Sequence, residues 1–122
     1  MASEIRLPTH SDSRGRLTVI DRVLPFSIAR VYYIYDCSGS MRGGHRHKKT
    51  RQALVCVKGS CTVDWTNGAE SGSTRLADPS QLLILEPTDW HLMRDFSNDA
   101  VLLVLASESF DPSDYVYEGY DR

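Results

Sequence analysis

Residues 42–60 read RGGHRHKKTRQALVCVKGS, and this stretch decides the fold. His45 and His47 stand one residue apart, Gln52 follows His47 after four residues, and Gly59 follows Gln52 after six. On an extended strand, residues two apart share a face, so both imidazoles point the same way. The apolar run behind them is a second strand, ended by Lys58-Gly59-Ser60, where a hairpin is expected. Two histidines on one face, flanked by Arg42 and Lys48, either bind a metal, exchange protons or line a polar wall.

Working outward, the 122 residues support one domain spanning 1–122 with one core. A formal charge of −2 argues against nucleic acid or an anionic membrane surface as a partner. No apolar run approaches the ~20 residues of a membrane-spanning helix, and MASEIRLPTH lacks a secretory core. Cys37, Cys56 and Cys61 are an odd set without CxxC spacing, which suggests reduced thiols in a cytoplasmic protein.

Short runs rich in Val, Ile, Leu and Tyr predict strands at Leu17–Ile20, Ile28–Tyr35, Gln52–Lys58, Cys61–Thr66, Ser73–Ala77, Leu82–Glu86, Trp90–Arg94 and Val101–Ala106. Asn67-Gly68 suits a tight hairpin turn. Asp111 before Pro112 predicts a short C-terminal helix or turn. Such a series implies an all-β jelly roll. The spacing His-x-His-x4-Gln-x6-Gly matches the first motif of the cupin double-stranded β-helix, except that Gln52 stands where metal cupins have glutamate. The second motif survives only as Pro87-x-Asp89-x-His91, one residue short.

Three readings of the histidines are open on these residues. His45, His47 and His91 could bind a divalent metal, as in a metal-dependent cupin oxygenase, although Gln52 removes the ligand carboxylate. One or both could shuttle protons, since imidazole titrates near ~6.5. They could merely line a non-catalytic carbohydrate- or nucleotide-binding cupin. Elsewhere, Tyr33 and Tyr35 share a strand face, as packing or as hydroxyl donors. Arg14 and Arg16 could clamp phosphate oxygens. Trp90 could be core or a stacking surface.

The segments DSRGRL (12–17), LPFSIARVYYIYD (24–36), RGGHRHKKTRQALVCVKGSC (42–61), PTDWHLMRDFS (87–97), VLLVLAS (101–107) and DPSDYV (111–116) together resemble the dTDP-sugar 3,4-ketoisomerases. These cupins move the ketone of dTDP-4-keto-6-deoxyglucose to C3, supplying 3-amino-3,6-dideoxy sugars for surface polysaccharide or glycosylated products. The resemblance implies a metal-free homodimer without cofactor, its N-terminal strand around Leu17–Ile20 swapped onto the neighbour's sheet. It implies His47 as the principal acid-base with His45 as its partner, and Tyr33 and Tyr35 on the sugar oxygens. Arg42 and Arg16 are then candidates for the diphosphate, with Arg14, Arg94, His91, Gln52 and Trp90 completing the substrate site. Moving a ketone to the next carbon needs a base near two adjacent carbons and polar groups for the charge on oxygen, which imidazole supplies near neutral pH.

Overall fold

The computed structural model describes residues 1–120. Two antiparallel five-stranded sheets face each other. The first contains β1 (Ser3–Arg6), β4 (Arg30–Tyr35), β6 (Gln52–Lys58), β9 (Gln81–Leu85) and β11 (Val101–Ala106), in the order β1-β9-β6-β11-β4. The second contains β5 (Arg42–His47), β7 (Cys61–Thr66), β8 (Ser71–Leu76), β10 (Trp90–Arg94) and β12 (Tyr115–Val116), in the order β12-β5-β10-β7-β8. β2 (Thr9–Asp12) and β3 (Gly15–Thr18) form a separate hairpin. This is the expected all-β jelly roll of the cupin type. Among the described residues no helix is long and apolar enough to cross a membrane.

Alternation builds the core between the sheets. Leu54 and Cys56 of β6, Leu83 and Leu85 of β9, and Leu102 and Val104 of β11 meet Cys61 and Val63 of β7 and Met93 of β10. A second apolar cluster lies on the outer face of the first sheet, where Val23, Leu24 and Phe26 pack over Val55, Leu82, Ile84 and Leu105. That cover explains why β6 and β9 read as continuous apolar runs: both of their faces are buried.

Strands β6, β7, β10 and β11 fall where the sequence predicts them. Three expectations change. The strand expected at Leu17–Ile20 is β3, Gly15–Thr18; it pairs with β2, and β1 precedes both. The turn at Lys58-Gly59-Ser60 is not a hairpin, because β6 and β7 lie in different sheets; it carries the chain across the barrel. Gly59 (φ +68°) is required there, since a Cβ would meet Ala100 Cα at 2.8 Å. The Asn67-Gly68 hairpin exists, but Asn67 N–H bonds to the Glu70 carbonyl at 3.0 Å across a four-residue loop. The C-terminal turn is a 3-10 turn, Pro112–Asp114, capped by the Asp111 side chain on the Ser113 amide.

Candidate active site

The histidines gather because β5 and β10 are neighbours. His91 of β10 lies opposite His45 of β5 in register, with ring centroids 4.8 Å apart. Between His91 and Leu92 the register slips past Gly44, a bulge that leaves Arg42 opposite Met93 and on the same cavity as His45. Gly43 and Gly44 both take positive φ, and a Cβ on Gly43 would stand 2.9 Å from the His91 carbonyl oxygen. The shortened second motif therefore still delivers His91 to the site. Asp89 ties its loop by accepting the Glu86 amide at 2.8 Å.

His47 is 3% exposed, and its Nδ1 lies 2.9 Å from Asp114 Oδ2. Asp114 also accepts the Lys48 and Lys49 amides at 3.1 and 2.8 Å and the Thr50 hydroxyl. The His91 Nδ1 lies 3.0 Å from the Asp89 carbonyl. Both Nδ1 atoms thus carry protons, and both Nε2 atoms are left as buried lone pairs without a partner among the described residues.

Burial sets the charges. It pushes His91 down to about 3, against the Asp89 hydrogen bond. Burial, helped by neighbouring His47, holds His45 at about 4. His47 is also lowered, burial outweighing the pull of Asp114. Burial would raise Asp114, but hydrogen bonds from Thr50, the Lys49 amide and His47 hold it at about 2. At neutral pH the cluster is three neutral imidazoles backed by one carboxylate.

The opposite wall answers the question posed by Gln52. Its Nε2 donates to the Tyr32 hydroxyl oxygen at 2.9 Å. Burial, then the nearby Tyr115, raises the Tyr32 pKa and keeps it protonated. Tyr32 accepts from Gln52 with its oxygen and keeps its own proton for the cavity, about 330 Å³ in volume, that it lines with Arg30, Arg42, His45, His91 and Phe110. Glutamate at 52 could not make that donation.

The remaining site candidates lie away from the histidine cavity of this chain. Tyr33 and Tyr35 are 62% and 58% exposed on the outer face of β4, stacked on each other, because Arg30, Tyr32 and Ile34 take the inner face. Trp90 and Arg94 lie on the outer face of β10. The Trp90 indole donates to the Tyr117 carbonyl at 3.3 Å, and Arg94 pairs with Asp64 at 2.6 Å. Arg14 pairs with Asp12 on the β2–β3 hairpin, and Arg16 is exposed beside it. Within this chain none of the six lines the histidine cavity. His47, expected as the leading acid-base, is buried behind His45, which lines the cavity together with His91. Asp114, Tyr32 and Arg30 escaped the sequence reading. DPSDYV signalled the Asp114 turn but not its contact with His47.

The metal option can be tested on the donor set. Ligand atoms of His45, His47 and His91 lie within 4.8 Å of one another. The fourth position is Gln52, whose amide nitrogen is used on Tyr32, and two guanidiniums face the same cavity. A metal there would rest on three neutral imidazoles, with Gln52 adding no ligand and two guanidiniums repelling a dication.

Comparison with known proteins places the chain. The family described as FdtA: WxcM-like, C-terminal matches residues 2–122. The chain belongs to this family. A curated relative, TDP-4-oxo-6-deoxy-alpha-D-glucose-3,4-oxoisomerase of Aneurinibacillus thermoaerophilus, is 47% identical over 114 residues, covering 91% of this chain and 81% of its own length. A 3,4-ketoisomerase from Helicobacter canadensis superposes with a TM-score of 0.91 at 34% identity, over 96% of this chain and 90% of that one. A mutant of the 3,4-ketoisomerase QdtA from Thermoanaerobacterium thermosaccharolyticum, solved in complex with TDP-4-keto-6-deoxyglucose, gives 0.89 at 39% identity, over 96% and 87%. Family membership thus agrees with the fold and with the resemblance carried by the six sequence segments.

Proposed function

We propose that this FdtA-family isomerase moves the ketone of a TDP-linked 4-keto-6-deoxyhexose from C4 to C3 by imidazole acid-base chemistry. The observation that carries the mechanism is a neutral imidazole, His45, on one cavity wall, with a protonated phenol, Tyr32, on the wall formed by the other sheet. In the forward step His45 takes the C3 proton, acidified by the adjacent carbonyl, while Tyr32 hydrogen-bonds an oxygen of the reacting carbons. The C3–H electron pair becomes the C3–C4 double bond, the C4 carbonyl π pair moves onto O4, and the O3–H proton passes to O4, leaving an enediolate with its charge on O3. Collapse of that enediolate forms the C3 carbonyl as the C3–C4 π pair takes the proton back from the imidazolium at C4. The His47–Asp114 pair behind His45 steadies the cluster as His45 changes charge. Arg42 at the mouth of the cavity meets the diphosphate.

The proposal includes a homodimer in the cytoplasm. The β2–β3 hairpin belongs to neither large sheet, exposes Leu17, and is the arm a second copy would receive. Val31, Tyr33 and Tyr35 give the outer face of β4 exposed side chains for the same contact. Reduced Cys37, Cys56 and Cys61 support the compartment. The test is to incubate chelator-treated protein with dTDP-4-keto-6-deoxyglucose and follow the sugar by NMR. The 3-keto isomer should accumulate. Persistence of the 4-keto sugar alone would reject the reading.

A further inference from the structure

Resting on that reading, we infer that Arg30 is the fixed cation that stabilises the negative charge gathering on the sugar oxygens as the C3 proton leaves. Deprotonation of C3 places charge on O4, and on O3 once the O3–H proton crosses to O4, and positive charge standing where that charge develops lowers the barrier. The imidazoles cannot supply it at the outset, being neutral. Among the described residues the cations on the cavity wall are Arg30 and Arg42, and no aspartate or glutamate lines it.

The two arginines sit differently. Arg42 is exposed at the start of β5, suited to a phosphate at the mouth. Arg30 is half buried on the inner face of β4, beside Tyr32. Its guanidinium carbon lies 5.2 Å from the Tyr32 ring centroid and 5.6 Å from that of Phe110, so two aromatic faces hold it in place. Its Nε is buried with no hydrogen-bond partner among the described residues. Their ion pairs engage Arg51 with Glu86 and Arg94 with Asp64 but leave Arg30 out. A held, partly desolvated guanidinium with no counter-ion among the described residues is matched to an anion that exists only during the reaction. Its place beside Tyr32 puts donor and cation on one side of the substrate and His45 on the other.

The test uses Arg30→Ala and Arg30→Lys in the full chain, with kcat, KM, TDP affinity by calorimetry and the melting temperature. Arg30→Ala should lose about 10²–10³-fold in kcat, with TDP affinity within about threefold of wild type. Guanidinium ion in the assay should restore part of the lost rate, and Arg30→Lys should retain more than Ala. A rise in KM and loss of TDP affinity at unchanged kcat would make Arg30 a phosphate contact and overturn the assignment. So would a rate loss that guanidinium does not rescue, whether or not the melting temperature falls. An inactive wild-type protein would fail the isomerase reading itself, and the parallel control shows which has failed.

Discussion

Tyr32 and Tyr33 are adjacent on β4, yet one lines the histidine cavity and the other stands on the outer face. The inner face of the strand brings Arg30 and Tyr32 to Gln52 across the sheet and to His45 on the opposite sheet. The outer face carries Val31, Tyr33 and Tyr35, exposed. The difference teaches that a side chain's chemistry here is set by its partners. Burial keeps Tyr32 protonated against the pull of the Gln52 amide, which occupies its oxygen and leaves its O–H free for the cavity, whereas Tyr33 has a stacked Tyr35 and solvent.

The largest effect that sharpens this contrast belongs to His45. His45→Asn keeps shape and polarity but cannot exchange a proton, so kcat should fall about 10²–10⁴-fold, while TDP binding by calorimetry changes little. Next comes Tyr32→Phe, which removes one aimed donor and should cost about 10²-fold in kcat. Tyr33→Phe, the same change one residue on, should leave kcat within about twofold of wild type, as substitutions away from partnered groups generally do. Equal losses from Tyr32→Phe and Tyr33→Phe would break the comparison.

Asp114→Ala separates support from chemistry. It removes the acceptor of His47, Thr50 and two amides, leaving buried donors unmatched. Stability should fall by on the order of 3 kcal/mol, read as a lowered urea midpoint, with a smaller rate loss than His45→Asn. A midpoint at the wild-type value would show that the carboxylate does not organise the cluster.

Much of this was legible in the sequence. Strands β6, β7, β10 and β11 are legible because their alternating or continuous apolar runs stop at turn-forming residues, Gly59, Asn67, Asp95 and Ser107. The His-x-His pair and Gln52 were legible because period two puts them on definite faces. What alternation cannot say is which face becomes the cavity, so nothing in the pattern separates Tyr32 from Tyr33. Asp114 was hidden for another. It meets His47 across 67 positions of chain, a contact made by the fold and not by local pattern. Gly59 looked like a hairpin turn because turn chemistry is the same whether the next strand pairs with the last or crosses to the other sheet.

The imidazoles also carry a pH signature. His45 and His91 are neutral in the fold down to about 4 and about 3, whereas an unfolded histidine protonates near ~6.5. Below that value the unfolded chain binds more protons than the folded one, so their contribution to stability is full above pH ~6.5 and is lost as pH falls through the folded values. Melting temperature should therefore drop as the buffer is taken from neutral toward pH 4, and less steeply in His91→Gln. The acid limb of kcat/KM, set by the free enzyme, should lie near His45's value of about 4. An acid limb at 6–7 would return the leading role to an unperturbed histidine.

The claim at the centre is that the ketone moves through an enediol with a proton passing through His45. Turnover of dTDP-4-keto-6-deoxyglucose in D2O, with the product read by NMR, tests it most directly. The cavity is open to solvent, so an imidazolium at His45 exchanges its proton before giving it back. The account predicts deuterium at C4 of the 3-keto product, on a single face. A product carrying only the hydrogen originally at C3, transferred to C4 with no solvent label, would mean a direct hydride shift and would contradict it.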